Sequence, residues 1–144
     1  MGMVDIGKKE ATEREAQAEG VIYLKINVIG LIKKNKIPKG NVLEAARIAG
    51  IFAAKNTPEI IPLCHPIPIE FLDIEFLLHK NKIIITALVK GSAKTGFEME
   101  ALTAVTVAAL TIYDMTKPLD KDIVISDIKL LKKSGGKSGI YVRK

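Results

Sequence analysis

One segment of this chain of 144 residues limits the possible folds more than any other. Residues 97–116 read FEMEALTAVTVAALTIYDMT, and their charges lie only near the two ends. This pattern predicts a long helix that is apolar on nearly every side, and such a helix must be covered by other elements. Thr95 as N-cap and Glu98 three residues later predict a capping box, and Pro118 ends the helix. The charged ends are then the places where the helix meets water or a polar ligand.

The two ends of this predicted helix differ in their electrostatics. Glu98 and Glu100 lie in the first turn, where the helix dipole favours negative charge, and they face different sides. Asp114 lies in the last turn, where the dipole raises the pKa of a carboxyl group, whereas Lys117 on the same face lowers it. Two interpretations stay open for the pair of Asp114 and Lys117. It is either a weak structural ion pair or an acid/base pair at a pocket.

The composition is that of a globular protein, with 48% hydrophobic and 26% charged residues. The length predicts a single domain over residues 1–144. No apolar run reaches the ~18 residues that span a bilayer, and the N-terminus has no apolar signal region, so we expect a cytoplasmic protein without a membrane segment. The single cysteine, Cys64, excludes an internal disulfide, and one cysteine with two histidines leaves too few ligands for a structural zinc site.

The net charge of +6 points to an anionic partner. After Asp127 the chain carries six basic residues and no acidic one. Aromatic residues make up 5% and tryptophan is absent, so the chain lacks the alternation of basic and aromatic residues that is typical of single-strand nucleic-acid binding. A compact polyanion, such as a phosphorylated small molecule, fits better than nucleic acid.

The remaining pattern predicts the order β-α-β-β-α-β, an α+β fold of the ferredoxin-like type with an antiparallel sheet and both helices on one face. Residues 1–19 have no apolar stripe and are predicted to be a mobile arm, and residues 132–144 a basic, glycine-rich tail. The other predicted elements are a strand Val21–Ile32, a helix Val42–Lys55 capped by Asn41, strands Ile69–Leu78 and Ile83–Val89 with a bulge near Phe71, and a last strand Ile123–Leu131.

Two further segments contain residues that folding alone does not require. Prolines in the segment 61–68 stiffen a loop that holds Cys64 and His65, although a histidine beside a proline is often an ordinary loop residue. Residues 132–139 combine lysines, serines and glycines, which suits an anion-binding loop or, equally, a flexible basic tail. The segment is not a P-loop, because Leu131 stands where that motif needs glycine and no helix follows.

Together these segments resemble the molybdenum cofactor biosynthesis protein C family, the cyclic pyranopterin monophosphate synthases. The resemblance runs from Met3 to Gly139. Four motifs carry most of it: Leu63–Pro66, Lys94–Thr103, Ala109–Met115 and Lys133–Gly139. Thr116 stands where the family commonly has cysteine, and Phe97 where it often has valine. Neither position has an assigned chemical role.

The resemblance implies a reaction and an assembly. The substrate is 3′,8-cyclo-7,8-dihydroguanosine 5′-triphosphate, whose ring system is opened and rearranged to a pyranopterin while a cyclic phosphate closes and diphosphate leaves. The family is similar in having a ferredoxin-like subunit, dimers that assemble to a hexamer, active sites at the dimer interface and no redox cofactor. The expected partners are therefore a small triphosphate and further copies of the chain.

The family motifs also imply roles for individual residues. Asp114, Lys117 and Lys133 are implied to be catalytic, with the first two suited to proton transfer. Substrate contacts are implied for Leu63, Cys64, His65, Met99 and Glu100, and the Glu100 carboxylate suits the N–H donors of a guanine-derived edge. Cations that neutralise the departing diphosphate are expected at Arg14, Lys39, Lys133 and Lys137, although Arg14 and Lys39 taken singly read as surface charges.

Two other functions compete with this interpretation. A ferredoxin-like RNA-binding module would stack bases on aromatic side chains of its central strands, but the predicted strand 83–89 contains no aromatic residue. A non-catalytic nucleotide-binding module of the same fold would explain the basic segment, but it gives Asp114 and Lys117 no role. Release of diphosphate from the cyclic substrate distinguishes the enzyme from both.

Overall fold

The structure is a computed structural model that describes residues 1–144. Its elements in chain order are β1 (Thr12–Tyr23), α1 (Ile26–Lys33), α2 (Val42–Lys55), α3 (Thr57–Ile60), β2 (Phe71–Leu78), β3 (Lys82–Ala93), α4 (Glu98–Thr116), β4 (Val124–Ser134) and β5 (Tyr141–Val142). The five strands form one sheet in the order β2-β3-β1-β4-β5, and every neighbouring pair is antiparallel. The predicted α+β class is confirmed, and α1, α3 and β5 are additions to the six predicted elements.

The core lies between the sheet and the layer formed by α2 and α4. Inward-facing isoleucines such as Ile74, Ile83 and Ile85 are fully buried, in alternation with more exposed neighbours along β2 and β3. The helices α2 and α4 approach closely at Gly50, where a Cβ atom would lie 2.9 Å from the Ala104 carbonyl oxygen. Most of α4 is thereby covered, as its apolar sequence requires.

The first predicted strand was wrong in position. We predicted a mobile arm over residues 1–19 and a strand Val21–Ile32, but residues 12–19 already belong to β1, the central strand of the sheet. Alternation of small buried residues such as Ala16 and Ala18 with longer polar ones supplies the period of two, which is easily overlooked when the buried side chains are alanines. The isoleucine-rich segment that follows is helical, with Val28, Ile29 and Ile32 on its buried side.

Two smaller predictions also failed. Phe97, not Thr95, is the N-cap of α4, and it makes no side-chain cap bond, so the capping box does not form. The pairing of β2 with β3 is regular at Phe71, and the register shifts lie instead between β1 and β4. The cap of α2 is confirmed, because the Asn41 side chain accepts a hydrogen bond from the Glu44 N–H at 3.1 Å.

The segment predicted as a basic tail is partly built into the sheet. Strand β4 extends to Ser134, beyond the predicted end at Leu131, and β5 pairs with its last part. Between them, Gly135 and Gly136 adopt positive φ angles of 98° and 74°. The side chains of Lys132 and Lys133 therefore have fixed positions on a strand. No helix of the protein has the length and apolar character needed to cross a membrane.

Candidate functional site

The residues predicted for chemistry gather at the two ends of α4. With a rise of about 1.5 Å per residue, the Cα atoms of Glu98 and Asp114 lie about 24 Å apart along the helix. The carboxyl end of α4 holds Asp114, Lys117 and Lys39. The amino end holds all of the others, which are Arg14, Leu63, Cys64, His65, Met99, Glu100, Lys133 and Lys137.

The carboxyl end of α4 carries a small network of ions. The ammonium group of Lys117 lies 3.1 Å from Asp114 Oδ1, which confirms the predicted pair. Lys39, from the loop between α1 and α2, places its Nζ atom 2.9 Å from Asp114 Oδ2 and 3.0 Å from the Asp114 carbonyl oxygen. Lys39 therefore also neutralises the negative end of the helix dipole. The three side chains are about half exposed and are open to a ligand or to a second protein surface.

Hydrogen bonds from Lys39 and Lys117 lower the pKa of Asp114 below its ordinary value. The two lysines thus outweigh the opposing helix dipole, and the carboxyl group is ionised at neutral pH. Asp114 is suited to accept a proton or to orient the ammonium groups beside it. Because the network is exposed, it contributes little to folding stability.

The amino end of α4 borders an apolar cavity of about 380 Å³. Leu63, Cys64 and His65 form part of its wall, as the resemblance implied, and Met99 from the first turn of α4 completes that side. Another part of the wall was not expected from the sequence. It comes from the first residues of the chain, which contribute Val4, Ile6 and Lys9.

Glu100 is the most unusual side chain at this end. It is only 2% exposed, and neither carboxyl oxygen has a hydrogen-bond partner. Burial, together with the nearby charge of Glu98, raises the pKa of Glu100 to about 7. Burial and the charge of Glu100 also raise the pKa of the Cys64 thiol. A buried acceptor without a donor is costly for the free chain, so this position is suited to receive N–H donors.

Beside the cavity lies a basic groove of about 590 Å³ with no hydrophobic residue in its wall. Arg14 and Lys137 both line it, as expected for a phosphate site. The Arg14 side chain is anchored by a 3.0 Å hydrogen bond from its Nε to the Ala93 carbonyl oxygen. Gly136 lies against the guanidinium group so closely that a Cβ atom there would collide with it. This explains the glycine at position 136 better than flexibility does.

Lys133 contacts the cavity wall through Glu98. From β4 it makes a 3.0 Å ion pair with Glu98, and Glu98 lines the cavity. This pair explains why Glu98 does not cap its helix. It also fixes Lys133 at the amino end of α4, whereas Asp114 and Lys117 lie at the carboxyl end. One chain therefore does not bring the three predicted catalytic residues together.

Sequence comparison shows the family of the chain. Residues 3–136 match the MoaC family. The chain belongs to that family. It is 58% identical over 143 residues to the cyclic pyranopterin monophosphate synthase of Thermoanaerobacter sp. (strain X514), covering 98% of this chain and 90% of the relative. The protein of the same name from Peptoclostridium acidaminophilum is 55% identical over 141 residues, with the same coverage. The one from Streptomyces griseus is 50% identical over 141 residues, covering 98% of this chain and 80% of that protein.

The two ends of α4 thus offer different groups on each chain of this MoaC family member. The amino end offers an apolar cavity, a buried acceptor and a basic groove; of the carboxylates that line these spaces, Glu98 is paired with Lys133 and Glu10 has no ion pair. The carboxyl end offers an ionised carboxylate between two lysines, outside the cavity and the groove. On one chain the cavity and the groove are therefore separated from Asp114 and Lys117.

Proposed function

We propose that the chain is a cyclic pyranopterin monophosphate synthase of molybdenum cofactor biosynthesis. It converts 3′,8-cyclo-7,8-dihydroguanosine 5′-triphosphate to cyclic pyranopterin monophosphate with release of diphosphate, which makes it a lyase. Membership of the MoaC family and the names of its close relatives support the reaction. The observation that carries the proposal is the apolar cavity beside a basic groove, because the substrate joins a fused ring system to a triphosphate.

The amino end of α4 binds the substrate. The ring system enters the cavity against Met99 and the loop with Cys64 and His65, and its N–H edge donates to Glu100. Two N–H donors would satisfy both carboxyl oxygens and favour their ionised form, which the free chain disfavours by burial. The triphosphate lies in the basic groove, where Arg14 and Lys137 hold its charge.

Asp114 and the lysines carry the chemical steps. Ring opening and closure require protons to be removed and returned, and the ionised Asp114 accepts while a neighbouring ammonium group donates. As diphosphate leaves, negative charge grows on the phosphate oxygens, and Lys133 stabilises it from the groove side. No step requires a redox change of the protein. Lys39 then acts chiefly on Asp114 and on the phosphates near it.

A complete site forms between two copies of the chain. The carboxyl end of α4 from one copy meets the amino end of α4 from the other, so Asp114 joins Lys133 across the interface. An uncovered apolar stripe on the outer side of the helix layer supports such a contact, with Ile48 and Phe52 on α2 and Leu110 and Tyr113 on α4. These dimers assemble further to a hexamer. The reaction uses a nucleotide-derived triphosphate and no membrane component, and we assign it to the cytoplasm.

The RNA-binding alternative is not favoured by the open face of the sheet. On the central strand β1 this face carries Glu15, Gln17 and Glu19, and on β3 it carries Thr86 and Leu88. Glu15 is already paired with Lys90 and Lys132, and none of the five offers an aromatic ring for base stacking. A nucleotide-binding module without catalysis keeps the groove and the cavity, so only turnover separates it from the enzyme.

The direct test is to incubate the purified chain with the cyclic substrate and follow diphosphate by a coupled assay and the pyranopterin by its oxidised fluorescent derivative. We expect both products in equal amounts. Tight substrate binding without diphosphate would identify a nucleotide-binding module instead. An Asp114→Asn variant prepared in parallel controls for a contaminating activity, because its product formation must fall with the substitution.

A further inference from the structure

Residues 3–10 form a segment without helix or strand, with a turn at Gly7 and Lys8, that borders both parts of the proposed substrate site. Val4, Ile6 and Lys9 line the cavity together with Cys64 and His65 of the proline-rich loop. Lys8, Lys9 and Glu10 line the basic groove together with Arg14 and Lys137. Lys9 is the residue that lines both spaces.

Few bonds tie this segment to the rest of the protein. Within residues 1–10 the one backbone–backbone hydrogen bond is local, from the Lys9 N–H to the Ile6 carbonyl oxygen at 3.1 Å. A second local bond joins the Gly7 N–H to Asp5 Oδ1 at 2.8 Å. The link to the body of the protein is a single 3.5 Å bond from Lys94 Nζ to the Gly7 carbonyl oxygen. A segment held in this way opens at little cost in free energy.

The charges around the groove are unbalanced. The cations are Lys8, Lys9, Arg14 and Lys137, none of them is in an ion pair, and Glu10 is the single carboxylate in the wall. Like charges gathered around one space repel each other, and a polyanion placed between them removes that repulsion. A bound triphosphate would therefore attract Lys8 and Lys9 of the segment toward the other two cations of the groove, Arg14 and Lys137.

We propose that residues 3–10 are a strap that closes over the bound substrate, with Lys8 and Lys9 contacting the phosphates and Ile6 covering the ring cavity. The choice of a triphosphate as the anion rests on the proposed function. Closure excludes water from the ring and commits the substrate to reaction. The strap thus adds two phosphate contacts and one ring contact to those that the family resemblance implied.

The phosphate contacts are tested with inorganic triphosphate as the probe, by calorimetry at low ionic strength. The double variant Lys8→Gln/Lys9→Gln should bind it about twentyfold more weakly, from about fivefold for each exposed charge contact. The matched control is Lys80→Gln/Lys82→Gln, which removes the same charge at the β2–β3 turn, at the end of the sheet away from Arg14. The control should stay within twofold. Equal affinities of the two double variants would overturn the proposal.

Closure itself is tested by limited trypsin digestion, since Lys8 and Lys9 are cleavage sites. Inorganic triphosphate should slow cleavage after these residues at least fivefold while cleavage after Lys80 is unchanged. Cleavage after Lys8 and Lys9 at the same rate with and without triphosphate would contradict a closing strap.

The ring contact is tested separately. Ile6→Ser should raise KM for the full substrate several-fold and leave the affinity for inorganic triphosphate unaltered. An unchanged KM would remove Ile6 from the site.

The outcomes separate the strap from the proposed reaction. If the wild-type chain forms no diphosphate but the binding and digestion results hold, the reaction is wrong and the strap stands as part of a triphosphate-binding site. If the chain turns over its substrate while Lys8→Gln/Lys9→Gln and the Lys80/Lys82 control bind triphosphate alike, the reaction stands and the strap is wrong.

Discussion

The two ends of α4 place a carboxyl group in opposite electrostatic surroundings. At the carboxyl end, Asp114 is exposed, ionised and matched by two lysines, so its pKa is lowered. At the amino end, Glu100 is buried without any partner, and its pKa is raised to about 7. The same chemical group on the same helix is thus held in two different states, and about 21 Å of helix separates them.

The difference shows at which end the polar groups are already paired in the free chain and at which end they lack partners. The exposed network is satisfied in the free chain and gains little from a ligand at that end alone. The amino end contains unsatisfied groups, namely the Glu100 carboxyl and the unpaired cations of the groove, and a bound ligand relieves both. We therefore expect substrate affinity to depend on the amino end and turnover to depend on the carboxyl end.

The largest expected effect follows from removing the charge at the carboxyl end. In Asp114→Asn, turnover should fall by roughly 10²–10⁴ while KM changes little, because the side chain loses its capacity to accept a proton. Stability should hold, since an exposed ion network contributes little and a neutral group near the negative end of a helix is tolerated. Steady-state diphosphate release and thermal unfolding measure the two effects. Turnover within a few-fold of wild type would reduce the network to a structural ion pair.

The matched control for that variant is Asp73→Asn, which makes the same change at an exposed position on β2, outside the site. Its turnover and stability should both match those of the wild type. A similar loss in both variants would mean that the assay responds to net charge rather than to the α4 network.

The next effect concerns stability at the amino end. Because the Glu100 pKa is about 7 in the folded chain and lower in the unfolded one, the folded state keeps a proton that the unfolded state has lost. The free energy of unfolding should then fall as pH rises from about 4.5 to 7, by about 3 kcal/mol from this group, and stay low above pH 7. Glu100→Gln should remove this decline and be more stable than wild type at pH 8. Urea unfolding at pH 5 and pH 8, at one protein concentration, measures both.

Glu75→Gln, on the exposed face of β2, serves as the control for this change. It should keep the wild-type decline between pH 5 and pH 8. If Glu100→Gln declines just as steeply, the carboxyl group is ionised in the folded chain over this whole range, and the contrast between the two ends fails.

The smallest expected effect is on substrate binding at the edge of the groove. Lys137→Ala should weaken binding about fivefold, and added salt should reduce affinity in the wild type toward the same value. Its free energy of unfolding should change by less than about 0.5 kcal/mol, because the side chain is exposed. Calorimetry with the substrate, with Lys80→Ala as the control, gives the comparison. An affinity equal to that of the control would place Lys137 outside the site.

The sequence was sufficient for the long elements and for the local pairs. The helices α2 and α4 follow from their apolar periodicity, the Asn41 cap from its side chain, and the Asp114–Lys117 pair from a spacing of three residues. It failed for β1, where alanines take the buried positions and the apolar signal is weak. The pattern of small residues at every second position, Ala16, Ala18 and Gly20, was the signal that could have identified this strand.

The contacts that the sequence did not predict are mainly those between residues far apart in the chain. Lys39 beside Asp114 and Lys133 beside Glu98 depend on how loops and β4 meet the ends of α4, and no local spacing encodes them. The walls contributed by Val4, Ile6 and Lys9 were missed because the first residues show no periodicity. Residue type indicated which groups carry chemistry, but only the fold shows that they fall into two separated sets.

In the proposed enzyme, the two ends of α4 from different copies complete one site. Mixing two inactive variants tests this sharing most directly. Asp114→Asn and Lys133→Gln, each with low activity alone, are unfolded together and refolded as a mixture. In a mixed dimer one site carries both substitutions and the other carries neither, so random pairing should restore about a quarter of wild-type activity. A double variant refolded with Asp114→Asn is the control and should regain none. Activity of the first mixture no higher than that of its components would contradict a site shared between chains.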